Sequence, residues 1–170
     1  MIQLRPADLI LVHGSTLIDR AIEDIEHSLY SHAAGVGFEP GELIEARGFR
    51  ATGYQNLGAY QDDGEAYVCN RLTDTQRTAI VDSVKQEIGK QYDYLLLIWE
   101  LYRYVLHMTI PFKEPFHSRI CSTLWADAYK SVGVDLCPGI RYPSPGDIAQ
   151  SALLKKVGTV KETLESVYKN

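Results

Sequence analysis

Phe116-His-Ser-Arg-Ile-Cys-Ser-Thr-Leu-Trp-Ala-Asp-Ala-Tyr-Lys-Ser-Val-Gly133 is the stretch that decides how this chain is read. Beyond its first few residues, Ile120, Leu124, Ala128 and Val132 recur four apart, with Trp125 and Tyr129 beside them. That spacing makes one apolar stripe on an amphipathic helix. Ser118 is the candidate N-cap, and Gly133 stands where the helix would stop. Cys121 then falls in the first turn, beside unpaired backbone N–H groups and the positive end of the helix dipole. Such a setting lowers a thiol's pKa and favours the thiolate. Taken alone, a free cysteine is more often a buried packing residue than a nucleophile. Only a partner elsewhere in the chain changes that balance.

The bulk properties narrow the classes. A chain of 170 residues suits a single domain, 1–170, large enough to bury a core without disulfides. Its 45% apolar and 23% charged residues are those of an ordinary globular protein, and a net charge of −5 argues against a nucleic-acid partner. Cys69, Cys121 and Cys137 are odd in number and lack C-x-x-C spacing. Neither a disulfide framework nor a zinc knuckle is expected, and a reducing compartment is the default. Met1-Ile-Gln-Leu-Arg-Pro6 does not read as a signal peptide, and no apolar run reaches the roughly 20 residues that span a bilayer. The expectation is a cytoplasmic protein, exported only by some other route.

Outward from the cysteine helix, Asp8–His13 is a short apolar run that predicts a buried strand. A helix is expected over 17–27, with Ile18, Ala21, Ile22 and Ile25 inward. Tyr30–Phe38 reads as a strand of small residues, Glu39-Pro-Gly-Glu42 as a type II turn, and Leu43–Ala46 as the returning strand. Phe49–Gly53 and Glu65–Asn70 are further candidate strands. Thr73-Asp-Thr-Gln76 opens a helix that runs to about Ile88, before Gly89. Over Tyr94–Met108 only Glu100, Arg103 and His107 interrupt the apolar residues. That helix is either nearly buried, the favoured reading, or turns apolar surface to a ligand or lipid. Residues 137–146 are turn-rich, and 151–168 give no firm pattern. Strands and helices in blocks, without strict alternation, predict an α+β fold.

Among the five histidines, His32 has a distinctive setting. Ser31, Ala33, Ala34 and Gly35 surround it, so another element can approach its ring closely. With a helix-mouth cysteine and a carboxylate it forms a candidate general-base system, and Glu45 on the returning strand is that carboxylate. If Glu39 pairs with Glu42, His32 and Glu45 share a face but are offset by four residues, about 13 Å along the strand. A bulge or a wider loop is then needed to join them. No G-x-S-x-G elbow, P-loop or zinc-binding histidine pair competes with this assignment.

Tyr30-Ser-His-Ala-Ala-Gly-Val-Gly37, Leu43-Ile-Glu-Ala46, Gly89-Lys-Gln-Tyr-Asp-Tyr94, Ile120-Cys-Ser-Thr-Leu124 and Ser144-Pro-Gly-Asp-Ile148 together resemble the circularly permuted NlpC-like papain-fold enzymes. These are amidases and peptidases distantly related to lecithin:retinol acyltransferase. The resemblance covers roughly residues 6–150. It implies a permuted papain-like fold, with an antiparallel sheet or partial barrel packed on helices and the nucleophile at a helix N-terminus. The order His32, Glu45, Cys121 is the permuted one. The resemblance makes Cys121 the nucleophile, His32 the base and Glu45 the orienting acid. Tyr92 matches a tyrosine often near substrate, and Tyr30, heading the histidine stretch, is a second candidate substrate contact. Thr123 stands where many relatives carry glutamate.

The expected function is a cysteine hydrolase that cleaves a peptide or acyl-amide bond through an acyl-enzyme, with no metal or organic cofactor. A lipid acyltransferase or thioesterase on the same site is the first alternative, with 94–108 as an apolar, lipid-side or membrane-surface contact. A non-catalytic binding module is the second.

Overall fold

The computed structural model describes residues 3–14, 29–46, 51–90 and 121–168. Six antiparallel strands form one sheet among them: β1 (Leu9–Val12), β2 (His32–Val36), β3 (Glu42–Glu45), β4 (Gly53–Asn56), β5 (Gly64–Val68) and β6 (Lys155–Thr159). Their spatial order is β4-β3-β2-β1-β5-β6. Four α-helices are described with it: α1 (Asp74–Lys85), α2 (Cys121–Ser131), α3 (Pro145–Ala149) and α4 (Val160–Tyr168), and a 3₁₀ turn spans Leu57–Tyr60. The fold class is α+β, as the block order of the sequence predicts. No helix among the described residues is long and apolar enough to cross a membrane.

β1 lies inside the sheet and is apolar at every position because both faces are covered. Leu9 and Leu11 join Ala33, Ile44 and Tyr67 beneath the α1–α2 layer. Ile10 and Val12 join Ala34, Val36, Leu43, Leu57, Tyr60 and Val160 on the other side. Alternate side chains point to opposite faces, so the strand feeds two cores at once.

The helix layer follows the predicted signals. Thr73 caps α1 in a capping box with Gln76, and Ile80, Val81 and Val84 form its buried stripe. Leu124, Trp125, Ala128 and Tyr129 of α2 are buried, and the backbone after it turns at Gly133 with φ 83°. Trp125 locks α2 onto the sheet. Its Nε1 donates to the Ile44 carbonyl at 3.1 Å, and its ring lies so near β2 that a Cβ on Gly35 would stand 2.2 Å from Cζ2. Glycine there lets helix and strand touch.

Several expectations shift. The strand predicted at Phe49–Gly53 begins at Gly53, as β4. The turn-rich stretch around Pro143 holds a short helix, α3, which Ser144 caps. The unassigned tail supplies edge strand β6 and then α4. The helices expected over 17–27 and 94–108 lie outside the described residues, as does Ser118.

Candidate active site

Two of the proposed residues stand on neighbouring strands, and loop length decides that they meet. Glu39-Pro-Gly-Glu42 forms the expected type II turn: Glu42 N donates to Glu39 O at 3.0 Å, and Gly41 has φ 75°. Strand pairing begins one step further out, with Gly37 N donating to Glu42 O at 2.9 Å. The register is therefore Gly35↔Ile44 and Val36↔Leu43, which places Glu45 opposite Ala34. His32 and Glu45 are diagonal neighbours two residues apart, about 7 Å between backbones. A two-residue change keeps both side chains on the face the parity predicts. His32 Nε2 and Glu45 Oε2 are 3.0 Å apart.

Cys121 comes to the same histidine from the helix layer. It is the first described residue of α2 and 5% exposed. His32 and the backbone N–H groups of Ala33 and Ser122 lie near enough to its sulfur to lower the thiol's pKa. With Nε2 turned to the carboxylate, Nδ1 is the ring nitrogen left for the thiol. The His32 side chain is 19% exposed and that of Glu45 is 2% exposed. The imidazole is thus the more open side of the trio.

The electrostatics favour a charged pair. Burial is the largest influence on each group and opposes its charged form. For His32 that pull is outweighed by the Cys121 sulfur, by hydrogen bonds to Cys121 and Glu45 and by the Glu45 charge, which together push it up to about 10. For Cys121 it is outweighed by His32 and by the N–H groups of Ala33 and Ser122, which hold the thiol below its usual range. Thiolate and imidazolium stabilise one another. Two hydroxyls in the same turn, Ser122 Oγ and Thr123 Oγ1, are buried and have no hydrogen-bond partner among the described residues.

Sequence reasoning missed Tyr60. Its hydroxyl donates to Glu45 Oε2 at 2.5 Å, and its ring centroid is 6.0 Å from that of His32. It stands on a single 3₁₀ turn, which carries no periodic signal. Tyr30 is 8% exposed. Its hydroxyl bonds Glu65 and, at 2.7 Å, the hydroxyl of Tyr67. Glu65 also pairs with His13 at 3.3 Å and Lys156 at 2.6 Å. Tyr30 is therefore built into a polar cluster where β1, β2, β5 and β6 meet. Tyr92 lies outside the described residues.

The fold is similar to one already solved. The crystal structure of the metalloprotein yiiX from Escherichia coli O157:H7, DUF1105, aligns with a TM-score of 0.56 and 17% sequence identity. The alignment covers 93% of this chain and 98% of that one. Identity at this level shows a shared fold alone. The chain matches no protein-family model and no curated protein.

Proposed function

We propose that this protein is a cysteine hydrolase with a circularly permuted, NlpC-like papain architecture, which cleaves an amide bond in a peptide or N-acyl substrate. The observation that carries the proposal is the grouping of Cys121 beside His32, whose ring is hydrogen-bonded to Glu45. The order of the three along the chain, with histidine and acid ahead of the cysteine, supports the permuted form.

The Cys121 thiolate attacks the carbonyl carbon, and the oxyanion is held by backbone N–H groups at the start of α2. The imidazolium of His32 passes its proton to the leaving nitrogen as the C–N bond breaks, which leaves a thioester on Cys121. Neutral His32 then takes a proton from water, the hydroxide attacks the thioester, and the thiolate departs with the acid released. Glu45 fixes the ring through Nε2 and stabilises the imidazolium whenever it forms.

The yiiX protein is called a metalloprotein. Among the described residues here no three His, Cys, Asp or Glu side chains gather as a metal site. His32 Nε2 and Glu45 Oε2 are moreover engaged with one another. Among the described residues the donors offer no cluster for a metal, and no step is routed through one.

Mass spectrometry after exposure to acyl donors tests the proposal. A peptide amide, an N-acyl amide and a thioester serve as the three arms. The expected result is an acyl adduct on Cys121, absent in Cys121→Ala, that decays with release of free acid. Decay only on addition of an acyl acceptor would assign the site to acyl transfer. Adducts spread over Cys69 and Cys137, or turnover intact in Cys121→Ala, would overturn the proposal.

A further inference from the structure

We propose that Tyr60 is a positioning residue of this site: its hydroxyl holds the Glu45 carboxylate, as the anion, against His32 Nε2. The C-terminal segment holds Tyr60 in turn. The inference rests on the function proposed above and extends its machinery to a residue outside the histidine, acid and cysteine stretches.

Three observations carry it. First, Tyr60 Oη and His32 Nε2 converge on one atom, Glu45 Oε2, at 2.5 Å and 3.0 Å. An acid 2% exposed has little water to support its charge. A phenolic donor at that oxygen favours the ionised form and fixes the direction in which the oxygen faces the ring. Second, Tyr60 is itself 8% exposed, and its ring is tilted by 41° to that of His32. Movement of the phenol would therefore disturb both the acid and the base. Third, the 3₁₀ turn is pinned on both sides. Asn56 caps it, accepting from Gly58 N at 2.8 Å. Leu57 and Tyr60 share a buried cluster with Val160, the first residue of α4. The fit is close: a Cβ on Gly64 would stand 2.6 Å from Tyr60 O and 2.7 Å from Val160 Cγ2. The tail beyond residue 150 thereby reaches the site through one side chain.

On this reading Tyr60 does not contact the substrate. It acts through Glu45, and that predicts a specific dependence. Removing the hydroxyl leaves the ring packed but takes a donor from a buried carboxylate. The carboxylate becomes a weaker support for the imidazolium, and the thiolate loses part of its counter-charge.

The test is the pH dependence of Cys121 alkylation by iodoacetamide in four full-length proteins: wild type, Tyr60→Phe, Glu45→Gln and the double variant. Tyr60→Phe is expected to move the acid-side midpoint upward by roughly half to one pH unit. Glu45→Gln should move it in the same direction, and the double variant should match Glu45→Gln alone. A Tyr60→Phe profile that superimposes on wild type would overturn the inference, as would additive shifts in the double variant. A loss of packing alone lowers the thermal midpoint without moving the titration. If instead wild-type Cys121 titrates as an ordinary thiol near pH 8.5, the failure belongs to the proposed thiolate–imidazolium pair and not to Tyr60.

Discussion

Gly35→Ala tests how closely the helix of Cys121 is fitted to the strand of His32. The added Cβ would stand 2.2 Å from Trp125 Cζ2 and 2.4 Å from Cε2 and Cη2. Carbon atoms in contact prefer about 3.5 to 4.0 Å, so ring or helix must retreat by about 1.3 to 1.8 Å. Trp125 is fully buried, and its Nε1 is committed to the Ile44 carbonyl, so the ring has no open direction. Overpacking costs about 1 to 3 kcal/mol, and a buried donor pulled from its acceptor costs about 1 to 3 kcal/mol. Alanine's better strand propensity returns about 0.5 to 1 kcal/mol. The net expectation is a loss of about 1 to 5 kcal/mol, read as a lower urea midpoint at unchanged slope. Because Trp125 lies one turn beyond Cys121, the same retreat moves the sulfur relative to His32. A misplacement near 1 Å can lower turnover about 100-fold, and Cys121 alkylation at neutral pH should slow as well. Gly53→Ala is the control, since among the described residues its Cβ meets nothing nearer than Ala51 O at 3.8 Å. A Gly35→Ala protein within about 0.5 kcal/mol of wild type, with Cys121 as reactive as before, would refute the claim that this contact sets the site.

The remaining predictions concern charge, the core and a cap. His32 lies above its ordinary value and discharges at about 10, while Cys121, despite burial, is held below its own by the His32 charge and hydrogen-bond donors beside it. Alkylation of Cys121 should rise on the acid side of the ordinary thiol value and change again around pH 10; a single rise centred at the ordinary thiol value would contradict this. Arg77 binds Asp8 at 2.8 Å and the carbonyls of Pro6 and Cys69 at 2.7 and 2.9 Å, with both charged side chains buried. Arg77→Ala strands the carboxylate and should cost about 3 to 5 kcal/mol. Adding Asp8→Ala should cost less than the two changes summed, as measured by urea unfolding. Thr73→Ala removes the α1 cap and should cost about 1 kcal/mol, with Cys121 alkylation unchanged.

Much of the local structure is legible because local rules govern it. The four-residue recurrence from Leu124 and the Thr73–Gln76 box mark α2 and α1, and the unbroken apolar run marks β1. The turn at Pro40-Gly41 is legible too, but the pairing beyond it is not. Glu42 turns its carboxylate back to Phe38 N at 3.2 Å, so the loop satisfies its own donor and the strands close further out. That step shortens the His32–Glu45 offset from four residues to two. β6 escapes notice because Lys155 and Lys156 make an exposed, polar edge strand, which keeps edges from pairing with other chains and erases alternation. Tyr60 escapes because one 3₁₀ turn has no period to detect.

The sequence by itself determined which of the main segments have an apolar face and which side chains have the chemistry of a nucleophile, base or acid. Those properties depend on neighbours a few residues away. Only the tertiary structure decided that sulfur, imidazole, carboxylate and phenol share one place. That meeting depends on a loop's closing register, on a glycine that lets a tryptophan touch the sheet, and on a C-terminal helix that holds a distant turn. Each is a contact between segments far apart in the chain, and local periodicity cannot specify it.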